Sequence, residues 1–329
     1  MSGVQQFFQR IWYQGNKAYW LLLPLAWLYQ AVTALRRLLY RLKLKPQIQV
    51  AAPVIVVGNI SVGGTGKTPF TLLLCQLLRQ HGWQPGIISR GYGANVRCAK
   101  LVQPDSLASE VGDEPLLLAQ RSGCPVVVCP DRVAAAQFLL QHSNCNIIVS
   151  DDGLQHYRLA RNVEIVLIDG SRGLGNGQLL PAGPLREGRW RLKQVDLVVA
   201  NTSAVTQADG VMQLHAAAPL PLIGNASLPA DAAVTLVAGI GNPARFEQTA
   251  RQAGFQIVAR RYLGDHHQFS AADFTDITGP VLMTEKDAVK CRHFARADWF
   301  SLPVTARLDA PLMTKITTLL TNLRSSYGN

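Results

Sequence analysis

Residues 54–69 read Val54-Ile-Val-Val-Gly-Asn-Ile-Ser-Val-Gly-Gly-Thr-Gly-Lys-Thr-Pro69. The four β-branched residues that open this stretch predict a buried parallel strand, and the glycine-rich residues 58–66 predict a turn. Lys67 and Thr68 then begin a predicted helix that continues through the leucines at 72–74 and 77–78. This order of strand, loop and helix is typical of the P-loop, in which backbone N–H groups and a lysine bind nucleotide phosphates and a threonine hydroxyl binds Mg²⁺.

The loop departs at one position from the general P-loop pattern G-x-x-x-x-G-K-[ST]. Ser61 stands where the first glycine of the pattern is expected, whereas Gly66, Lys67 and Thr68 stand in their expected places. A glycine-rich turn with an incidental lysine is the alternative interpretation. The strand predicted before the loop and the helix predicted after it favour nucleotide binding.

The positive charge of the chain is concentrated towards its N-terminus. The formal net charge is +11, no Asp or Glu precedes Asp105, and twelve Lys or Arg residues lie in that span. A basic end on an otherwise balanced chain favours an anionic partner surface, either lipid headgroups or nucleic acid. Because the sequence contains no RNA- or DNA-binding motif, we predict that anionic membrane lipids are the partner and that nucleic acid is not.

Residues 1–45 are predicted to form a helical segment that associates with a membrane. Residues 18–35 carry no charge and are strongly apolar, and a basic run from Arg36 to Lys45 follows them. An apolar stretch of about 18 residues that is interrupted by Pro24 is marginal for a bilayer core, so an interfacial helix fits at least as well as a spanning one. A helix packed on the protein's own core is the remaining alternative. The basic flank predicts that the following domain lies on the cytoplasmic side.

The rest of the chain is predicted to have an α/β fold. Helical segments lie between several apolar runs that are typical of strands, at 86–89, 126–129, 147–150, 165–168 and 195–200. This alternation predicts a P-loop NTPase-like core with a mostly parallel sheet at residues 46–200. The pattern farther along predicts a linker or small ribbon at 201–233, a smaller second α/β domain at 234–310 and a C-terminal helix at 311–329.

Acidic segments are candidates for phosphoryl-transfer chemistry, which needs Mg²⁺ ligands and a group that positions or deprotonates the acceptor. Asp151 and Asp152 follow a predicted buried strand, where a Walker-B-type Mg²⁺ ligand is expected, although a plain Asp-Asp-Gly turn is the alternative. Asp113 lies at a predicted helix start, where it could be either a cap or a base. As a base it needs a partner, and the segment Asp265-His266-His267 is one candidate.

Two loops carry arginines that are candidates for binding phosphate. Arg186 and Glu187 end the proline-rich segment Leu180-Pro-Ala-Gly-Pro-Leu-Arg-Glu187, where the arginine would clamp phosphate and the glutamate would approach the metal. A surface ion pair in a stiff loop is the alternative. Arg90 lies in Ser89-Arg-Gly-Tyr-Gly93, after a predicted strand that ends at the same edge of the sheet.

Taken together, these segments resemble the tetraacyldisaccharide 4′-kinases of lipid A biosynthesis in Gram-negative bacteria. The resemblance covers nearly the whole chain in order, and Ser61 fits the family, in which Ser or Thr is usual at that position. It rests on the segments Leu21-Leu-Leu-Pro24, Val57-Gly-Asn-Ile-Ser-Val-Gly-Gly-Thr-Gly-Lys-Thr68, Ser89-Arg-Gly-Tyr-Gly93, Gly112-Asp-Glu-Pro115, Asp151-Asp-Gly-Leu-Gln-His-Tyr-Arg-Leu159, Asn176-Gly177, Leu180-Pro-Ala-Gly-Pro-Leu-Arg-Glu187, Asp265-His266 and Met283-Thr-Glu-Lys-Asp-Ala-Val-Lys290.

The resemblance implies transfer of the ATP γ-phosphate to the 4′-hydroxyl of a tetraacylated glucosamine disaccharide 1-phosphate, which forms the lipid A precursor lipid IVA. ATP would be the co-substrate and Mg²⁺ the cofactor. The resemblance further implies a lipid disaccharide substrate at the membrane surface and an enzyme on the cytoplasmic face of the inner membrane of a Gram-negative bacterium.

The resemblance also implies roles for individual residues. Asp113 would be the base, assisted by His266. Asp151, Asp152 and Glu187 are carried over as metal- and nucleotide-site groups, together with the hydroxyl of Thr68. The nucleotide-binding loop comprises Ser61, Val62, Gly63, Gly64, Thr65, Gly66, Lys67 and Thr68, and the further site candidates are Arg90, Gln155 and Arg186.

These roles predict a mechanism that depends on two domains. Lys67 and the loop N–H groups would hold the β- and γ-phosphates, and Thr68 with an acidic group would hold Mg²⁺. Asp113, with its basicity raised by His266, would accept the proton of the attacking sugar hydroxyl. Because Asp113 and His266 lie in different predicted domains, domain closure would complete the site.

Two rival interpretations use the same P-loop. A membrane-associated ATPase of the ParA/MinD kind has the signature Lys-Gly-Gly-x-Gly-Lys-Thr, but Val62 stands at the position of the first lysine. A GTPase-type metallochaperone would need an Asn-Lys-x-Asp element and a Cys/His metal cluster. The chain has only Thr284-Glu-Lys-Asp287 and no Cys-x-x-Cys pair, so this class is disfavoured.

Overall fold

The structure is a computed structural model that describes residues 3–327. The helices are α1 (Gly3–Tyr13), α2 (Tyr19–Arg41), α3 (Lys67–Gln80), α4 (Ala108–Val111), α5 (Asp113–Ser122), α6 (Arg132–His142), α7 (Pro243–Gln252), α8 (Glu285–Cys291) and α9 (Ala310–Tyr327). The strands are β1 (Val54–Gly58), β2 (Pro85–Ser89), β3 (Lys100–Leu101), β4 (Val126–Val128), β5 (Ile147–Asp151), β6 (Val163–Asp169), β7 (Leu197–Asn201), β8 (Gly210–Ala216), β9 (Leu220–Pro221), β10 (Ala233–Ala238), β11 (Gln256–Tyr262), β12 (Val281–Thr284), β13 (Trp299–Leu302) and β14 (Val304–Leu308).

The larger sheet has the strand order β14-β8-β7-β6-β1-β5-β2-β4-β3. The seven strands from β8 to β4 run parallel, and the edge strands β14 and β3 are antiparallel to their neighbours. Helices cover both faces, which is why the central strands are apolar throughout rather than alternating. The predicted α/β fold with a mostly parallel sheet is therefore confirmed.

Strand β1 sends alternate side chains into two separate cores. Ile55 and Val57 pack with residues of α3, α5 and α9 on one face of the sheet. Val54 and Val56 pack with residues of α6 on the other face. Because β1 is packed on both of its faces, this strand holds the first residue of the loop that follows it in a defined position.

The second, smaller sheet has the order β11-β10-β12-β13-β9. Its first four strands are parallel, and β9 pairs antiparallel to β13 at the edge. Helix α8 follows β12 directly and begins at Glu285, with the hydroxyl of Thr284 accepting a hydrogen bond from the backbone N–H of Asp287. This cap fixes the direction in which α8 leaves the sheet.

The chain passes between the two sheets twice. Residues 201–233, which are predicted to be a linker or small ribbon, instead contribute strands to both sheets. Residues 210–216 form β8 of the larger sheet, and residues 220–221 form β9 of the smaller one. After β13 the chain returns as β14, which pairs with β8. The sequence does not predict strand β8, because most of its side chains are only half-buried and its residues therefore show no clear alternation.

Helix α9 packs the C-terminal part of the chain onto the larger sheet. Its buried residues recur about one helical turn apart and form a single apolar stripe: Leu312, Ile316, Leu320 and Leu323. The helix lies within the predicted range 311–329 apart from its first residue, and positions 328–329 of that range lie outside the described residues.

The N-terminal segment forms two helices that lie against the larger domain. Helix α2 buries Leu23 and Ala26, which pack on Ala182. Most of its apolar surface is exposed, including the side chains of Trp20, Leu21, Leu25, Trp27, Leu28, Val32, Leu35 and Leu38. Within residues 3–327, no helix combines the length and the apolar character needed to cross a membrane.

Candidate active site

The glycine-rich loop connects the buried strand β1 to helix α3, so the predicted residues 61–68 form one continuous loop and first helical turn. Gly66 immediately precedes α3 with φ of 89°, and a Cβ there would lie 2.4 Å from Nδ2 of Asn201. That amide donates a hydrogen bond to the backbone carbonyl of Thr65 at 3.0 Å. Only glycine combines this left-handed backbone with such close packing.

The proline-rich loop at 180–187 lies directly beside the glycine-rich loop. The backbone N–H of Val62 donates to the carbonyl of Pro184 at 2.9 Å, and the N–H of Arg186 donates to the carbonyl of Ile60 at 2.6 Å. These backbone bonds bring two segments together that are more than a hundred residues apart. Arg186 is thereby placed at the entrance to the phosphate-binding loop.

The acidic pair at the end of β5 faces Lys67 and Arg186. Nζ of Lys67 lies 3.5 Å from Oδ1 of Asp152, and Nη1 of Arg186 lies 3.2 Å from Oδ2 of the same carboxylate. Burial alone would raise the pKa of Asp152, but these two cations outweigh it, and the pKa is lowered. Asp152 therefore stays ionised and holds both cations at the mouth of the loop.

Asp151, the other member of the acidic pair, is fully buried. Its Oδ1 has no hydrogen-bond partner among the described residues, although Ser89 donates to Oδ2 at 3.4 Å. Burial raises the pKa of Asp151 to about 7, with a further contribution from the negative charge of Glu114 and an opposing one from Lys67. A buried carboxylate oxygen without a donor is suited to a cation, because a cation would offset the cost of its burial.

The acidic residues fit a magnesium ion that is held jointly with a nucleotide. No group of three or more His, Cys, Asp or Glu side chains within residues 3–327 is arranged as a complete metal cage. Mg²⁺ in phosphoryl-transfer sites usually keeps several waters and takes one or two carboxylates plus phosphate oxygens, so a full cage is not needed. Asp151 and the half-buried hydroxyl of Thr68 in the first turn of α3 are the protein groups in suitable places.

A cavity of about 260 Å³ opens next to these groups. The predicted residues that line it are Arg90, Asp151, Asp152, Gln155 and Arg186. A larger crevice of about 470 Å³ lies beside β8 and α7, but the described residues that line it include no carboxylate, lysine or arginine. Of these two cavities, the smaller one is therefore the one lined by charged side chains that could bind phosphate and Mg²⁺.

Asp113 and His266 meet across the boundary between the two sheets. Nδ1 of His266 lies 3.2 Å from Oδ2 of Asp113. The other carboxylate oxygen of Asp113, Oδ1, accepts a hydrogen bond from the backbone N–H of Glu114 at 2.9 Å. Nε2 of His266 lies 3.4 Å from Nζ of Lys286. Because an ammonium group only donates, these contacts assign the proton of a neutral His266 to Nδ1, which then donates to Asp113.

The pKa of Asp113 lies below its ordinary value, contrary to the expectation that His266 raises the basicity of this residue. Burial by itself would raise the pKa, but the hydrogen bond from His266 and the positive charge of Lys286 outweigh it, and Lys290 contributes in the same direction. The reason is that a donor and two cations stabilise the carboxylate form. His266 thus keeps Asp113 ionised and oriented rather than making it a stronger base.

Glu187 does not line the cavity. It is 3% exposed, its Oε1 accepts from Nε2 of Gln155 at 2.8 Å, and its Oε2 accepts from Tyr157 at 2.7 Å. Arg191 completes the set with its Nε at 3.2 Å from Oε2. In this arrangement Glu187 braces its loop, and its assignment to the metal remains a prediction. Glu114, which lines the cavity, is the carboxylate that the sequence analysis did not select.

Other residues at the site were also missed. Lys286 lies 3.1 Å from Oε1 of Glu114 and 3.9 Å from Oδ2 of Asp113, and Lys290 lies 3.9 Å from that same atom of Asp113. Both lysines belong to the segment at 283–290, whose sequence resembles a family motif but does not by itself predict a contact with Asp113. Asn201 ends strand β7 and shapes the loop through Thr65, and nothing in its local sequence marks it.

Comparisons with known proteins agree along nearly the whole chain. Residues 18–321 match the family described as LpxK, tetraacyldisaccharide-1-P 4′-kinase. A tetraacyldisaccharide 4′-kinase of Shewanella baltica (strain OS185) is 47% identical over 312 residues, which cover 93% of this chain and 92% of that protein. One from Shewanella oneidensis is 47% identical over 326 residues, with coverages of 98% and 96%.

A solved structure also matches. The crystal structure of the "apo" form of LpxK from Aquifex aeolicus in complex with ATP superimposes with a TM-score of 0.76 at 25% sequence identity. The match covers 92% of this chain and 99% of that one.

Proposed function

The chain belongs to the tetraacyldisaccharide-1-phosphate 4′-kinase family, and from this premise we infer the reaction of its site. The protein transfers the γ-phosphate of ATP to the 4′-hydroxyl of a tetraacylated disaccharide 1-phosphate. One observation supports the place of this reaction above all others. The ionised Asp113 directly precedes Glu114 and Pro115, which line the cavity, and the same cavity is lined by Asp152, which pairs with Lys67 of the phosphate loop.

The donor side of the site is built by the glycine-rich loop. Backbone N–H groups at the start of α3 favour the anionic phosphates, and Lys67 is close enough to leave Asp152 for a phosphate oxygen. Thr68 and Asp151 would hold Mg²⁺, and the ion, when bound, neutralises negative charge on the phosphoryl group that is transferred. Arg186 can serve as a second cation, because within residues 3–327 its guanidinium pairs only with Asp152, a partly exposed carboxylate.

The acceptor side is built by Asp113 and the second domain. The carboxylate accepts the proton of the sugar hydroxyl as that oxygen attacks the γ-phosphate. His266 donates from Nδ1 to Oδ2 of Asp113, while Oδ1 accepts from the backbone N–H of Glu114, so the two contacts fix the orientation of the carboxylate. Lys286 and Lys290 keep the carboxylate ionised, so the base is in its active form at neutral pH.

We place the enzyme at a membrane surface through helix α2. Its exposed tryptophans and leucines form an apolar face, and Arg36, Arg37 and Arg41 lie at its C-terminal end. An interfacial helix with cationic residues beside it binds anionic lipid surfaces. A lipid substrate whose acyl chains stay in the bilayer requires an enzyme on that surface, and the relatives in Shewanella support the cytoplasmic face of a Gram-negative inner membrane.

The product of the reaction tests this function against the ATPase alternative. The full-length protein is incubated with ATP, Mg²⁺ and a tetraacylated disaccharide 1-phosphate, and the lipid is analysed by mass spectrometry. We expect a gain of one phosphoryl group, and we expect Lys67→Ala to lower its rate by several orders of magnitude. Lys315→Ala, at an exposed surface ion pair, is the matched control. Lipid-stimulated ATP hydrolysis without a phosphorylated lipid would instead support an ATPase of the ParA/MinD kind.

A further inference from the structure

Arg172 lies against the phosphate-binding loop, although it belongs to the loop that follows β6. Its Nη1 is 3.5 Å from the position that a Cβ would occupy on Gly63. Gly63 has φ of 105° and lies in the middle of the glycine-rich loop, where nucleotide phosphates are bound. A side chain at position 63 would therefore touch the guanidinium group, which lies beside a backbone that is suited to approach phosphate.

The positive charge of Arg172 has no carboxylate partner within ion-pair distance among residues 3–327. Asp169 is the nearest acidic residue in sequence. Its carboxylate accepts a hydrogen bond from the hydroxyl of Ser171 and forms an ion pair with Arg245. By contrast, Arg186 is paired with a carboxylate. The guanidinium carbon lies 5.6 Å from the ring centroid of Tyr13, which is a neutral partner, so an anion bound at the loop would supply the counter-ion that this half-buried arginine lacks.

The same side chain also reaches the second domain. Nη2 of Arg172 donates to the backbone carbonyl of Gly241 at 3.2 Å. Gly241 belongs to the turn between β10 and α7, and the carbonyl of Gly239 in that turn accepts the backbone N–H of His266 at 3.2 Å. Arg172 and the partner of the base are thus attached to one short turn.

We propose that Arg172 is a catalytic residue that contacts the γ-phosphate of ATP bound in the glycine-rich loop. It supplies in cis the positive charge that phosphoryl transfer requires as negative charge moves onto the leaving β-phosphate oxygen. Through Gly241 it also connects the presence of the γ-phosphate to the turn that holds His266. The proposal rests on the function proposed above, in that the nucleotide bound is ATP.

The first test compares ATP with ADP, which lacks the γ-phosphate. Isothermal titration calorimetry on the full-length Arg172→Ala variant, without lipid substrate, should show ATP affinity lowered about tenfold or more, as expected for one charge-assisted hydrogen bond. Its ADP affinity should stay within about twofold of the wild type. The ATP affinity of Arg172→Lys should lie between that of the wild type and that of Arg172→Ala, because lysine keeps the positive charge but lacks the planar fork of donors.

The second test measures lipid phosphorylation by the same variants. We expect turnover of Arg172→Ala to fall by about 10³-fold, whereas Arg251→Ala, on an exposed helical ion pair, keeps wild-type turnover. Equal losses of ATP and ADP affinity, or unchanged ATP affinity, would overturn the proposal. If the wild type does not phosphorylate the lipid at all, the proposed function fails, but the comparison of ATP and ADP still decides the role of Arg172.

Discussion

At the scale of single residues, the carboxylate of Asp113 is held between groups that are far apart in sequence. Its neighbours are the backbone N–H of Glu114 within α5 and the side chains of His266, Lys286 and Lys290 from the second domain. The family resemblance predicts the pair with His266, but the two lysines come close only because α8 packs against α5. Spacing along a chain contains no information on such packing, so the lowered pKa of Asp113 could not be predicted.

The protonation of Asp151 gives the ligand-free protein a pH-dependent stability. Its pKa is raised to about 7 in the folded protein, against about 4 in an unfolded chain. Between these values the folded state binds the proton more strongly, so its stability falls as pH rises from about 4 to about 7. Asp151→Asn cannot ionise and should gain stability over the wild type across that interval.

Melting temperatures between pH 4.5 and pH 8 measure this difference without nucleotide or Mg²⁺. The gap between Asp151→Asn and the wild type should widen as pH rises and become constant above the pKa. Asp105→Asn, at an exposed position, controls for the loss of one charge. A gap that is the same at every pH would contradict the raised pKa.

At the scale of elements, helix α2 does more than expose an apolar face. The hydroxyl of Tyr29 donates to the backbone carbonyl of Arg186 at 3.1 Å, and the guanidinium of Arg37 lies 4.3 Å from the ring centroid of Trp190. The helix therefore braces the loop that carries Arg186 to Asp152. The sequence predicts a helix here from its composition, but both of these contacts depend on the tertiary fold.

Tyr29→Phe tests this brace, because it removes one hydrogen bond and leaves the apolar surface of α2 intact. We expect a loss of about 1 kcal/mol in the free energy of unfolding and a several-fold lower turnover, with unchanged binding to vesicles. Tyr19→Phe is the control, since the Tyr19 hydroxyl makes no hydrogen bond to another described residue. Equal effects of the two substitutions would show that Tyr29 does not brace the loop.

The strand pattern shows how far element prediction extends. Fully buried strands such as β1 and β5 were recognised because they are uninterrupted apolar runs. Strands β8 and β14 pair with each other at the edge of the larger sheet and are only partly buried. Their place in that sheet is set by the return of the chain from the second domain, which no local pattern encodes.

At the scale of the whole molecule, the exposed face of α2 should direct the protein to anionic membranes. Leu28→Asp places a charge on this face, where the side chain is 62% exposed, so the fold is kept and apolar burial in the lipid is lost. Val258→Asp is the matched control, because Val258 is 65% exposed on the second domain. Co-flotation with vesicles that contain an anionic phospholipid should be lost only in Leu28→Asp.

Flotation of both variants at the wild-type level would contradict the placement of the membrane surface on α2. Loss of flotation in both variants would show that the second domain also contacts the lipid. Helix α2 contacts the loop of Arg186 through Tyr29, and Arg186 in turn lines the cavity of the candidate site.

The central claim is that two domains join to form one kinase site, with Asp113 as the base at their boundary. Asp113→Asn tests it most directly, because asparagine keeps an acceptor for the N–H of Glu114 but cannot take a proton at neutral pH. Turnover and ATP affinity of the full-length variant are measured together, with Glu110→Gln, at an exposed ion pair, as control. The account predicts that turnover falls by about 10²- to 10⁴-fold while ATP affinity is kept. Near-normal turnover would contradict the account, because it would show that the reaction does not need a proton acceptor at Asp113.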